Sequence, residues 1–293
     1  MTEGFVTRFA PSPTGPLHLG HAYSAMLAHD MARAAGGSFL LRIEDIDRAR
    51  SRPEWEALIV DDLHWLGLDW PEPVLRQSDR LAAYGAALDR LWAAGLLYPC
   101  RCTRRDIAAA LAAPQEGVTV TGPDGPVYPG TCLPGPGWTP DGPRPEGVLR
   151  LDLSRALARI GTPGIGFAEL GENGERLWQF RAIAQLLTEV GDTVLSRAGM
   201  GTSYHLSVTV DDAAQGISHV VRGADLAEAT FIHRILQELL GLPAPVYHHH
   251  RLIRDAAGKR LAKRDDARAI RLYRAEGLSP GDIRALVNLP AAQ

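Results

Sequence analysis

Two rhythms of apolar and polar residues alternate along the start of the chain. Residues 5–10 read as a buried strand. From Leu17 to Ala35 the positions Leu19, Tyr23, Met26, Leu27, Met31 and Ala34 recur at helical spacing. Gly36-Gly37 ends that helix, and Ser38 to Ile43 reads as a second strand. Strand, helix and strand within about 40 residues predict a right-handed βαβ unit and a parallel sheet. Helical patterns follow over 53–67 and 79–95, the second stopped by Gly95. After an irregular stretch, 148–153 resumes regular structure and 175–190 is partly helical. Thr193 to Ser196 and Ile217 to Val221 read as strands, and Leu226 to Leu240 as an amphipathic helix stopped by Gly241 and Pro243. Helices over 266–276 and 279–287 close the pattern, with Ser279 as cap and Pro280 in the first turn. No internal repeat is visible.

The irregular stretch changes the picture of one continuous fold. Residues 114–147 hold nine Pro and eight Gly among 34 residues. Such a segment is costly to order and has little to bury. Residues 99–147 therefore read as an inserted piece that needs a staple. The division expected is 1–98 as the first half of a nucleotide-binding domain, 99–190 as an inserted subdomain, 191–250 as the second half and 251–293 as a C-terminal segment. The fold class expected is α/β, a Rossmann-like parallel sheet with an insertion and a short helical end.

The chain has 293 residues, 45% hydrophobic and 22% charged, which is ordinary for a globular protein. No apolar run reaches the roughly 18 residues of a membrane span. The N-terminus carries Glu3 and no export pattern, so a cytoplasmic protein with no membrane partner is expected. Net charge is −3, yet residues 251–274 carry nine Lys/Arg against three Asp. Charge alone makes that a solvated helical face or a docking surface for a polyanion. Among 31 basic residues only Lys259 and Lys263 are lysines, four apart. A mobile point charge differs in use from the planar fork of arginine, though chance retention in an arginine-rich composition gives the same pair.

Candidate chemistry sits in three places. Arg8 to His21 runs from the first strand through a Pro/Gly cluster into the first helix. Pro16 suits a first helical position, with Thr14 and Gly15 in the cap region. His18 and His21 are three apart, so they share a helix face beside the N-terminal N–H groups. Two imidazoles at a helix start suit phosphate and suggest ATP-driven activation of a carboxylate. Glu44-Asp45-Ile46-Asp47 follows the second strand, where parallel sheets place their ligands. A carboxylate there can hold an ammonium, while Asp45 and Asp47 read mainly as helix caps. The three cysteines, Cys100, Cys102 and Cys132, all lie in the inserted piece. Plain thiols or a disulfide are the simpler readings, but three thiols in a coreless segment favour one structural zinc per chain. No histidine lies between His64 and His205, which leaves Tyr128 or Asp106 as local oxygen donors for the fourth position.

In this order the motifs resemble class I aminoacyl-tRNA synthetases. His18-Leu19-Gly20-His21 is similar to the HIGH signature, and Lys259-Arg260-Leu261-Ala262-Lys263-Arg264 stands where the KMSKS loop belongs. Ala10-Pro11-Ser12-Pro13-Thr14 resembles the glutamyl branch. The chain ends about 30 residues after the lysine loop, too few for the large anticodon-binding domain of a full glutamyl enzyme. Cys100, Cys102, Tyr128 and Cys132 resemble the zinc site of the truncated glutamyl-Q tRNA(Asp) synthetase family, which raises Tyr128 above Asp106. That resemblance implies activation of L-glutamate by ATP with Mg²⁺, then transfer to queuosine at the first anticodon position of tRNA(Asp).

It also implies residue roles. His18, Gly20, His21, Lys259 and Lys263 would bind ATP, with His18, His21 and Lys263 catalytic. Arg8, Phe9, Ala10, Pro11, Ser12, Glu44, Tyr204 and Arg222 would hold glutamate, Arg8 facing its side-chain carboxylate and Glu44 its ammonium. Without the family, Arg222 reads as a strand-end arginine and Tyr204 as a core aromatic. Ala262 replaces the serine of the KMSKS pattern, which predicts slower or altered loop closure. His248-His249-His250 read as strand residues on alternating faces, not as a metal site. The basic 251–274 segment becomes an RNA-facing side. A monomer is expected. The rivals are a small-molecule H-x-G-H ligase or nucleotidyltransferase, a truncated enzyme charging a tRNA 3′ end, and a silent RNA-binding paralogue.

Overall fold

The computed structural model describes residues 4–112, 121–254 and 268–291. The first half runs β1 (Val6–Phe9), α1 (Leu19–Ala34), β2 (Ser38–Ile43), α2 (Pro53–Trp65), β3 (Leu75–Arg76), α3 (Leu81–Ala93) and β4 (Leu97–Pro99). The middle holds α4 (Arg104–Ala112), β5 (Thr121–Gly122), β6 (Gly125–Pro126), β7 (Leu149–Leu151), α5 (Leu153–Ile160), β8 (Gly164–Leu170), β9 (Arg176–Ala182) and α6 (Ile183–Glu189). The rest is β10 (Val194–Ser196), α7 (Tyr204–Ala214), β11 (His219–Gly223), α8 (Ala229–Leu240), β12 (Val246–His250), α9 (Ile270–Ala275) and α10 (Pro280–Leu286).

β1, β2 and β3 pair in parallel, as do β11, β12 and β8, while β9 folds back antiparallel on β8. Ser218 stitches the two groups: its N–H donates to the Val6 carbonyl at 3.1 Å and its Oγ accepts from Val6 N at 2.8 Å. Chain order therefore reverses between β1 and β11, and a crevice opens at their carboxyl ends. A second sheet, β10-β7-β4, is antiparallel.

Burial follows the predicted faces. One core packs α1, β2 and α2 with Ile270 and Ile283 of the last two helices and with Val287 just after them. The other packs α3, α5, α7 and α8 around Phe167, Val220 and Tyr247. An Arg284–Asp30 ion pair ties α10 to α1. Ser279 caps α10 as expected, accepting from Asp282 N.

Three local expectations change. α1 begins at Leu19, and its cap is His18 instead of Thr14 or Gly15, because the imidazole supplies the acceptor. Residues 176–182 form a strand before the short helix 183–189. Gly164–Ala182 joins the sheet of β12, since Tyr247 pairs with Glu169, instead of standing wholly within an inserted body.

Candidate active site at the sheet crossover

A cavity of about 530 Å³ occupies the crevice. His18, Gly20 and His21 line one side, Arg8, Phe9, Ala10, Glu44, Tyr204 and Arg222 the other, with His250, Leu252 and Ile253 along the wall. Ser12 lines an adjoining cavity of about 770 Å³, together with Glu44, Tyr204, Arg104 and Arg197. Pro11 is among the lining residues of neither, but its carbonyl accepts the Glu44 N–H at 3.0 Å and so fixes where Glu44 emerges.

The two histidines form a reciprocal cap. His18 Nδ1 accepts from Gly20 N at 3.1 Å, and His21 Nδ1 accepts from His18 N at 3.2 Å. Their rings stack with centroids 3.7 Å apart. An acceptor Nδ1 places the single proton of each neutral ring on Nε2. Gly20 permits this, since a Cβ there would stand 3.1 Å from His18 Cε1. Both rings therefore carry a defined donor at the edge of a helix N-terminus, where anions are favoured.

The opposite wall is built from long-range ion pairs. Asp212, at the end of α7, takes Arg8 Nε at 3.0 Å and Arg42 Nη1 at 2.6 Å. Arg42 also reaches Glu44 at 3.2 Å and Gln215 at 3.1 Å. Burial pushes the Asp212 carboxyl up, but Arg8 and Arg42 more than offset it and hold it below the usual range. Burial dominates at Glu44, whose carboxyl is raised despite Arg42 and Arg8. The neighbouring Asp211 is buried and takes Gln77 at 3.0 Å, Arg80 at 2.8 Å and the Tyr84 hydroxyl at 2.7 Å. Adjacent carboxylates thus lock α7 to β1 and β2 on one side and to α3 on the other. Arg8 is a pocket residue already gripped along one edge by Asp212.

Arg222, at the end of β11, is 6% exposed and held from three directions. Nε donates to His249 Nε2 at 3.3 Å, Nη1 to His233 Nδ1 at 3.2 Å, and Nη2 to Thr230 Oγ1 at 2.6 Å and Leu226 O at 3.2 Å. Burial and the Arg222 charge drive His249 down to about 4 and His233 well below its ordinary value, so both stay neutral acceptors. Arg8 and Arg222 thus enter the cavity lining as guanidiniums, with Glu44 and Asp225 as carboxylates in the same lining. Sequence reasoning missed Asp211, Asp212, Arg42, His205, His233 and His249 as site builders. The available signal was a pair of acids on a helix with no Lys or Arg of its own to pair them.

Lys259, Ala262 and Lys263 lie outside the described residues. The chain on either side of them is informative. Leu252 and Ile253 line the cavity, and Ile270 N donates to Leu17 O at 2.8 Å beside a His18–Ala269 bridge. The described residues that flank the lysine segment thus stand at the cavity wall and beside the histidine motif.

The cysteine cluster stands apart. The ligand atoms of Cys100, Cys102 and Cys132 lie within 4.8 Å of one another. The Tyr128 hydroxyl sits 3.5 Å from Cys100 Sγ, 3.3 Å from Cys102 Sγ and accepts from Cys132 N at 2.8 Å. Its bond lowers the Cys132 thiol to about 6, whereas burial raises the phenol itself. Arg150 Nε donates to Cys100 Sγ at 3.3 Å and its guanidinium lies over the Tyr128 ring. Three thiols and one phenol with a cationic outer partner fit a tetrahedral thiolate-rich ion such as zinc. Asp106 is bonded to Thr103 at 2.8 Å, which caps α4 and accounts for it.

The family model for class I tRNA synthetases (E and Q), catalytic domain, matches residues 5–117 and 182–289. A glutamyl-Q tRNA(Asp) synthetase of Rhodobacter capsulatus is 62% identical over 284 residues, covering 97% of this chain and 100% of that protein. One from Burkholderia cenocepacia is 43% identical over 270 residues, covering 92% of this chain and 84% of that one. Among solved structures, a glutamate tRNA ligase from Elizabethkingia meningosepticum in complex with its amino acid superposes with TM-score 0.68 at 25% identity, over 98% of this chain and 60% of its own. The chain belongs to the glutamyl-Q tRNA(Asp) synthetase family, within the class I synthetases for glutamate and glutamine.

Proposed function

We propose that this chain activates L-glutamate with ATP and transfers the glutamyl group to the queuosine base at the first anticodon position of tRNA(Asp). The observation that carries the reading is the single cavity that joins the histidine cap to the Arg8–Glu44–Tyr204–Arg222 wall. One wall suits phosphate and the other suits an amino acid with two carboxylates and one ammonium.

In the first step a glutamate α-carboxylate oxygen attacks the α-phosphorus of ATP, and pyrophosphate leaves. His18 and His21 donate through Nε2–H to phosphate oxygens as negative charge builds. Lys259 and Lys263 would neutralise the leaving group, and Mg²⁺ bound with ATP supplies further charge compensation. Glu44 takes the ammonium. Arg8 and Arg222 take the side-chain carboxylate; Asp212 orients Arg8, and Thr230 with the two histidines orients Arg222. Orientation before reaction lowers the barrier without a covalent enzyme intermediate. In the second step a queuosine hydroxyl attacks the adenylate carbonyl and AMP leaves.

The adjoining cavity supports a place for that second reactant. It shares Glu44 and Tyr204 with the first, and its rim carries the exposed Arg104 and Arg197. Arginines there suit the phosphates flanking a splayed base, which makes transfer salt-sensitive while activation is not. Zinc at Cys100, Cys102, Cys132 and Tyr128 would be structural, ordering the segment beside that rim.

Pyrophosphate exchange tests the activation half. Exchange that requires glutamate and proceeds without tRNA is expected. Absence of glutamate-dependent exchange contradicts the proposal and leaves a silent RNA-binding relative.

A further inference from the structure

Behind Arg222 lies a chain of hydrogen bonds that leads out of the pocket to the inserted segment. Arg222 Nη1 donates to His233 Nδ1 at 3.2 Å. His233 Nε2 lies 3.1 Å from His205 Nδ1, and His205 Nε2 lies 2.8 Å from Asp124 Oδ1. Asp124 sits in the turn between β5 and β6. Both imidazoles are buried, at 4% for His205 and 2% for His233, whereas the Asp124 side chain is 45% exposed.

The direction of every proton in this chain is forced from its ends. Arg222 can only donate, so His233 Nδ1 must accept. A neutral His233 then carries its proton on Nε2 and donates to His205 Nδ1. His205 in turn carries its proton on Nε2 and donates to a carboxylate, which can only accept. Charge agrees with this assignment. Burial raises the Asp124 carboxyl, but the bond from His205 outweighs it and keeps the group ionised. A matching arm runs the other way, from Arg222 Nε to His249 Nε2 at 3.3 Å and from His249 Nδ1 to Glu169 Oε1 at 2.6 Å. Two carboxylate–histidine arms therefore clamp one guanidinium, and only one of them starts in the inserted segment.

We propose that Asp124 is a positioning residue for the amino-acid pocket: it anchors His205 and, through His233, the plane of Arg222. This rests on the reading that Arg222 contacts the substrate carboxylate. Arg222 keeps His233 Nδ1 an acceptor in either case, but without Asp124 the His205 Nε2–H is left buried with no carboxylate to hold it. The two rings then lose their fixed seats, and one of the two arms that set the plane of Arg222 goes slack. The inserted hairpin is thus coupled to glutamate binding without touching glutamate.

The experiment uses the full chain in pyrophosphate exchange, with Asp124→Ala, Asp124→Asn and Arg222→Ala. Asp124→Ala is expected to raise the glutamate KM about tenfold, the size of one misplaced polar contact, with the ATP KM unchanged. Asp124→Asn retains a carbonyl oxygen and should recover most of that loss. Asp124→Ser, whose hydroxyl stops short of His205, takes the place of the alanine variant if that does not fold. Nitrogen-15 spectra of the ring N–H groups supply a second readout. The Nε2–H of His205 should be slow to exchange with water in the parent chain and in Asp124→Asn, and fast in Asp124→Ala or Asp124→Ser. An unchanged glutamate KM, equal loss for both substrates, or an unaltered His205 Nε2–H exchange in the alanine or serine variant overturns the proposal. If instead Arg222→Ala leaves the glutamate KM unchanged, the underlying assignment of Arg222 is what fails.

Discussion

The sheet crossover and the cysteine cluster are both polar knots, yet they are held in opposite ways. At the crossover, side chains from β1, β2, α7, β11 and β12 meet over two large apolar cores that fix each element independently of any ligand. At the cysteines, the buried company among the described residues is Tyr98, Cys100 and Tyr128, with Cys102, Cys132 and a few partly buried residues around them. The first site is shaped by apolar burial and then tuned by ion pairs. The second has so little to bury that its donor atoms are themselves the packing. Loss of a ligand-facing side chain at the crossover should therefore injure binding and chemistry, loss of a buried ion-pair partner there should cost stability as well, and loss at the cluster should injure order.

The largest effect belongs to Asp212→Ala. It leaves the buried Arg8 and Arg42 without their shared carboxylate, which costs about 3–5 kcal/mol of stability. Denaturant unfolding should show it, and glutamate-dependent exchange should vanish. His21→Ala sharpens the contrast, because it removes a donor together with one bond of the α1 cap and leaves both apolar cores in place. Its exchange kcat should fall by about 10²–10³ while unfolding free energy drops by only about 1 kcal/mol. Cys132→Ser tests the other knot. Elemental analysis should fall from close to one zinc per chain to near none, and the midpoint of thermal unfolding should drop. Any kinetic loss should appear in the glutamate KM through the hairpin that carries Asp124.

Acid should weaken the crossover. His249 is held near 4 and His233 is also low, so the unfolded chain binds more protons than the folded one below the ordinary histidine value. Stability is then lost as pH falls from 6.5 towards 4, by up to about 1.4 kcal/mol per pH unit for each histidine. Urea unfolding at pH 7 and 5 measures that slope, and His249→Gln should flatten it. The smallest effect is Ala262→Ser, which restores one hydroxyl to the lysine segment and should change exchange by less than about tenfold.

What the sequence discloses depends on how far apart the cooperating residues lie. His18 and His21 were legible because three residues of helix bring them together, although the cap itself was misplaced. Turn chemistry at Thr14-Gly15-Pro16 pointed to an earlier start, and the imidazole of His18 is not a usual cap. The three cysteines were legible as a group because they lie in one inserted piece, whereas Tyr128 was set above Asp106 only by family resemblance. Arg8–Asp212 and Arg42–Asp212 span 204 and 170 residues, and no local pattern announces such pairs. The β8–β9 hairpin did have a signal: Gly171-Glu172-Asn173-Gly174 between two runs of alternating residues, which helical spacing over 175–190 obscured. Arg222 and Tyr204 entered only through family resemblance, since a strand-end arginine and a helix tyrosine look the same in any sheet protein.

The central claim is that the glutamyl group goes to a modified anticodon base. Transfer of labelled glutamate to tRNA from cells with and without queuosine tests it most directly. Label on the queuosine-containing tRNA(Asp), surviving removal of the 3′ end and absent without queuosine, is the predicted result. Equal labelling of both tRNA pools, or label confined to the 3′ end, contradicts it.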